Sequence, residues 1–145
     1  MSHSCRGVLI HCMDFRFGVA LKKFMEEQHL LGDSDIVSFA GAAKNINDES
    51  TRAFAMKQIE LSKQLHGMTE VHLMNHMDCG AYGGHKAFTD QNAEHVFQVA
   101  ELEKAAELVL KQFPDLTVVL WLADIQEEGH ESAISFERIG EKHSA

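Results

Sequence analysis

The sequence predicts an α/β fold: a mainly parallel open sheet of four parallel strands, a short fifth strand, and helices on both faces. Three observations carry this. Short β-rich runs alternate with longer stretches at helical spacing. The first of those runs is apolar on both faces, as a strand buried inside a parallel sheet must be. The links between runs are long enough to hold crossover helices, and right-handed β-α-β units follow from that alternation.

The elements follow in order. RGVLIHC reads as the first strand. In FGVALKKFMEEQHLLG the apolar positions Val19, Leu21, Phe24, Met25 and Leu30 fall near helical spacing, and Gly32 is a stop signal. DIVSFAG is a second strand that runs into a loop. In NDESTRAFAMKQIELSKQLHG either Asn47 or Asp48 caps a helix that ends near Gly67. EVHLMNH is the third strand, and DCGAYGGHKAF after it is a glycine-bearing loop. HVFQVAELEKAAELVLKQF is the strongest helix, closed by Pro114. LTVVLWLAD is the fourth strand, and the polar turn IQEEGHES leads to AISFERI as a short fifth.

A chain of 145 residues suits one domain, residues 1–145. Thirteen basic against 22 acidic residues give a net charge of -9, which argues against nucleic acid or an anionic membrane as partner. No apolar stretch approaches the roughly 18 residues of a membrane span, and the N-terminus carries no export signal. The three cysteines are not spaced as a secreted disulfide framework. The cytoplasm is therefore the expected location, where reduced thiols serve as metal ligands or nucleophiles.

In open parallel sheets ligands sit beyond the carboxyl ends of the strands, near a topological switch point. Cys12 closes the first strand and His76 the third, and Cys79 follows His76 in NHMDCGAYGG. Two thiols and an imidazole from neighbouring strand ends suit a tetrahedral zinc, and three protein ligands leave a fourth position open. Gly83 and Gly84 do not make a phosphate loop, because no Gly-Lys-Ser/Thr follows them.

CMDFR resembles the Cys-x-Asp-x-Arg motif of the β-class carbonic anhydrases, and HMDCG resembles their His-x-x-Cys-Gly motif. The similarity covers roughly residues 7 to 85. It implies a flavodoxin-like strand order and assembly as a homodimer or larger homo-oligomer. It implies Zn2+ held by Cys12, His76 and Cys79, and a dyad of Asp14 and Arg16 beside the metal. In the family's open form the aspartate accepts a hydrogen bond from zinc-bound water; in the closed form it becomes the fourth ligand. Gly80 would bring backbone close to the substrate cavity, where only a glycine leaves room.

The implied function is that of a lyase in which zinc-bound hydroxide attacks CO2 to give bicarbonate. Two alternatives use the same site: hydrolysis of carbonyl sulfide or carbon disulfide, and a zinc-binding or regulatory module without turnover. A thiol redox protein using Cys12 and Cys79 is a third. The chain departs from the family at Ser38–Gly41, where SFAG stands in place of Arg-Asn-Ala-Gly.

Several other residues carry expectations of their own. Tyr82 and His85 would line the cavity or carry protons. Asp14 and Arg16 also admit a reading as a structural ion pair. Asp78 would bond nearby backbone amides. His72 would be buried inside its strand, and alternation puts His11 on the strand face opposite Cys12. Cys5 is expected to have no partner.

Overall fold

The computed structural model describes residues 3–126 and 133–145. Four parallel strands form the sheet: β1 (Gly7–His11), β2 (Ser34–Ser38), β3 (Glu70–His76) and β4 (Thr117–Ile125). A fifth, β5 (Ile134–Lys142), runs antiparallel to β4. The order is β2-β1-β3-β4-β5. After β1 the chain first adds β2 on one side and then crosses to add β3 on the other. The switch point therefore lies between β1 and β3, where ligand sites form in such sheets.

Helices cover both faces. On one side α1 (Gly18–Glu27) packs Leu21, Phe24 and Met25 against Leu9, Met74 and Trp121. On the other lie α2 (Lys44–Asn47), α3 (Glu49–His66) and α4 (Gln91–Gln112), with Ile46, Ile59, Leu102 and Val109 against Val8, Ile10, Leu73 and Leu120. Alternation along β1 explains the split: Val8 and Ile10 feed one core, and Leu9 the other. Among the described residues no helix is long and apolar enough to cross a membrane.

Local chemistry sets the helix ends. Asp48, not Asn47, caps α3 by accepting the Ser50 amide at 2.9 Å. Gly67 closes it in a left-handed conformation at φ 64°. Asp90 caps α4 by accepting the Ala93 amide at 2.7 Å, so this helix starts at Gln91 rather than near His95.

Val19 lies in α1 as its spacing predicts but is 61% exposed, the buried stripe running through Ala20, Leu21, Phe24 and Met25. Two further expectations are corrected. The fifth strand is not short: it has nine residues, eight of them paired with β4 at the sheet edge. Cys5 is not isolated, since its thiol lies 3.7 Å from the Asp35 carboxylate. Within the polar turn before β5, residues 127–132 lie outside the described residues.

Candidate metal centre and its surroundings

β1 and β3 run side by side in parallel, with Gly7 opposite Glu70 and His11 opposite Met74. That register delivers Cys12, one residue past β1, to the carboxyl edge next to His76, the last residue of β3. A turn after His76 folds Cys79 back beneath them. Asp78 makes this turn in the left-handed region at φ 57°. The Cys12 and Cys79 sulfurs stand 3.9 Å apart and unbonded. Together with a His76 ring nitrogen, these ligand atoms all lie within 4.8 Å of one another.

The spacing fits a tetrahedral ion. Two sulfur bonds of about 2.3 Å at the tetrahedral angle set the sulfurs roughly 3.8 Å apart. The histidine supplies the stronger observation. His76 Nδ1 is 2.7 Å from the Met77 carbonyl, which only accepts, so Nδ1 carries the proton. Nε2 then presents a lone pair, and it is buried without a hydrogen-bond partner. A buried, unpaired acceptor is costly unless something fills its place, and Phe17 packs on the ring at 4.6 Å to hold it there.

The Cys12 and Cys79 thiols share a hydrogen bond in which either sulfur can donate. This bond, followed by the His76 contact and the Gly41 amide, outweighs burial and holds Cys12 down to about 3, while Cys79 is pushed up. The Gly41 amide donates to Cys12 Sγ at 3.5 Å. Gly41 has φ 82°, and an added Cβ would meet Ala81 at 3.0 Å. The Ala-Gly that SFAG shares with the family motif thus puts a backbone amide on Cys12, while Phe39 is partly buried against the core that holds Val8 and Ile10.

Asp14 and Arg16 border this cluster. Asp14 Oδ1 accepts the Arg16 amide at 2.9 Å, capping the short 3-10 turn Phe15–Phe17. Its Oδ2 accepts Arg16 Nη2 at 2.7 Å and lies 3.8 Å from His76 Nε2. The Arg16 hydrogen bonds hold the Asp14 carboxyl below the usual carboxylate range, against a smaller opposing effect of burial. Arg16 is gripped from its far side as well: Nη1 donates to Asp78 Oδ2 and Nη2 to the Asp78 carbonyl, each at 3.1 Å.

Two spaces adjoin the cluster. One is a small apolar hollow of about 10 Å³ between His11, Cys12, Phe17, Leu21 and His76. His11 shares it with Cys12 because strand alternation ends at His11. The other is an open groove of about 650 Å³ along Asp14, Arg16, Asp78, Gly80 and Lys86. Gly80 borders that groove, and an added Cβ there would meet no other protein atom within 4 Å.

Tyr82 and His85 are not among the groove's lining residues. The Tyr82 hydroxyl donates to Glu101 at 3.1 Å and accepts from Asn75 at 3.3 Å. His85 Nδ1 meets Glu94 at 2.5 Å, and its amide donates to Asp78 Oδ1 at 2.9 Å. The latter bears out the backbone role expected of Asp78. Glu94 was not visible as part of the site in the sequence. It is buried and also accepts the Asp78 amide at 2.6 Å. His72 is buried as expected, accepting from Trp121 Nε1 at 3.1 Å.

A family model described as "Putative carbonic anhydrase" matches residues 2–131. The chain belongs to this family. An uncharacterized protein of Rickettsia conorii is 31% identical over 121 residues, covering 79% of this chain and 65% of that protein, so the matched part is just under two thirds of the relative's length. An uncharacterized protein of Rickettsia bellii is 28% identical over 144 residues, covering 95% of this chain and 84% of the other. The solved carbonic anhydrase of Streptococcus mutans matches at a TM-score of 0.59 and 18% identity, covering 97% of this chain and 86% of that one. At that identity the likeness speaks for the fold, and it agrees with the parallel sheet seen here.

Proposed function

We propose that the protein is a one-domain zinc lyase of the carbonic anhydrase type, hydrating CO2 to bicarbonate, with Cys12, His76 and Cys79 as zinc ligands. The observation that carries this is the buried, unpartnered Nε2 of His76 facing two thiols at tetrahedral spacing. Bound zinc would supply an acidified water, and so a nucleophile for the carbon of CO2 near neutral pH. Two thiolates would offset the charge of the ion, and the lone pair of His76 would complete a neutral set.

The chain's own residues would do the rest. Asp14 would accept the proton side of the nucleophilic water and turn its lone pair toward the carbon. Arg16 would fix the direction of that carboxylate, with Asp78 bracing it from behind. Gly80 and Lys86 would flank the route by which bicarbonate leaves along the groove. By the family resemblance the active form would be a homodimer or larger, and the cysteine usage favours the cytoplasm.

The test is CO2 hydration by the zinc-loaded protein against its Asp14→Ala variant, followed by stopped-flow with a pH indicator. The wild type should turn over, and the variant should be slower by roughly 10²-fold or more. Equal background rates in both would instead establish a zinc-binding module without turnover. Activity toward carbonyl sulfide but not CO2 would reassign the substrate while keeping the site.

A further inference from the structure

A second cluster of ligand-bearing side chains lies at the opposite edge of the sheet. Cys5 precedes β1, Asp35 sits in β2, and His66 ends α3. One ligand atom from each lies within 4.8 Å of the other two. Six residues of largely extended chain separate Cys5 from Cys12, so the two clusters stand on the order of 20 Å apart.

Three donors converge on one carboxylate oxygen. Asp35 Oδ2 takes His66 Nδ1 at 2.7 Å, Ser62 Oγ at 2.6 Å and Cys5 Sγ at 3.7 Å. The Cys5 thiol also lies 3.4 Å from the Gly7 carbonyl, so its one proton has two acceptors; a cation bound by all three side chains would take the place of that proton and of the His66 Nδ1 proton. The backbone holds the pieces in place independently: the Cys5 amide donates to the His66 carbonyl at 3.0 Å, and the Arg6 amide to Asp33. Val8 opposite Asp35 in the β1–β2 ladder fixes the carboxylate near the start of β1.

We propose that Cys5, Asp35 and His66 form a second divalent-cation site, of the kind zinc occupies, which ties the N-terminal segment to β2 and α3. A sulfur, an oxygen and a nitrogen together select a borderline ion such as zinc over calcium or magnesium, which take oxygen ligands. Thiolate and carboxylate neutralise the ion's two charges. A tetrahedral ion needs its nitrogen and oxygen ligands about 3.3 Å apart, so the His66–Asp35 contact opens by roughly half an ångström. Both side chains are about one third exposed and free to make that shift. A thiol binds such an ion as the thiolate, so binding there would release a proton.

The test uses the full chain and zinc alone. After zinc loading and removal of loosely held ion, metal analysis should give about two zinc ions per chain. Asp35→Asn and His66→Gln should each retain about one, and so should the Cys12→Ser/Cys79→Ser variant, in which only the second site remains. Alkylation of Cys5, read by peptide mass spectrometry, needs no substitution. Zinc should slow it at least tenfold in the wild type and in Cys12→Ser/Cys79→Ser, and not in Asp35→Asn. One zinc per chain, lost in Cys12→Ser/Cys79→Ser, with Cys5 alkylated equally fast with and without zinc, overturns the proposal. One zinc kept in that variant and lost in Asp35→Asn supports this site and counts against the first.

Discussion

His76 Nε2 lies 3.8 Å from Asp14 Oδ2 without bonding to it, while Arg16 Nη2 grips the same oxygen at 2.7 Å. The carboxylate is thus aimed at the metal cluster yet held back from it. Arg16→Lys keeps the charge but loses the planar grip on Asp14 and Asp78. CO2 hydration should fall by roughly 10- to 100-fold in this variant, the range typical for outer-shell partners. Zinc content should stay at the wild-type level, and a loss of metal would show that Arg16 supports the fold instead.

Hydration should accelerate toward alkaline pH. Two anionic sulfur ligands acidify a coordinated water less than three neutral imidazoles do, so the nucleophile should form above neutrality. A profile of kcat from pH 6 to 9 tests this, and a flat line would refute it.

Replacing Cys12 or Cys79 by Ser, or His76 by Gln, should weaken zinc binding at this centre by more than the roughly 10- to 100-fold that an outer-shell change costs. Competition against a chromophoric chelator measures it. The chelator should also lower the melting temperature of the wild type, because metal that binds only the native state stabilises it.

The His85–Glu94 contact should make stability depend on pH. Its hydrogen bond to Glu94 raises His85 above its ordinary 6.5, against a smaller opposing effect of burial. A raised folded value stabilises fully below about pH 6.5 and is lost as pH climbs through the raised value. The urea midpoint of His85→Gln should therefore lie below wild type at pH 5.5, and the two should converge on the alkaline side. A constant gap would mean the contact acts without its charge.

Two glycines make a contrasting pair. Gly41→Ala forces a side chain into the left-handed region against Ala81 and Lys44. It should cost about 1–2 kcal/mol or more and disturb the amide that reaches Cys12. Gly80→Ala meets open space and should stay within about 0.5 kcal/mol of wild type in urea unfolding.

Much of the fold was legible because its signals are local. Gly67 and Pro114 punctuate α3 and α4, and the apolar runs of β1, β3 and β4 are continuous. Cys12, His76 and Cys79 stood out because each lies within a few residues of a strand end, where the fold class itself places sites. What stayed hidden depends on pairing between distant segments. Glu94 stands just before the helix expected from the sequence and carries no signal of its own until α4, starting at Gln91, brings it against the Asp78 turn. Cys5 meets Asp35 only through the β1–β2 ladder. The length of β5 follows from β4, since its half-exposed residues carry no strong pattern of their own.

Cys12 and Cys79 are 67 residues apart in the chain, and the ladder between β1 and β3, with the Arg16 bonds to Asp78, brings them together. A nascent polypeptide cannot close that loop until β3 and the turn after it have left the ribosome. Loop-closure entropy makes such long-range pairing slow to form. An ion held by Cys12, His76 and Cys79 would thus bind only after the central strands have met, and an amino-terminal fragment that stops short of Cys79 would lack one of the three proposed ligands.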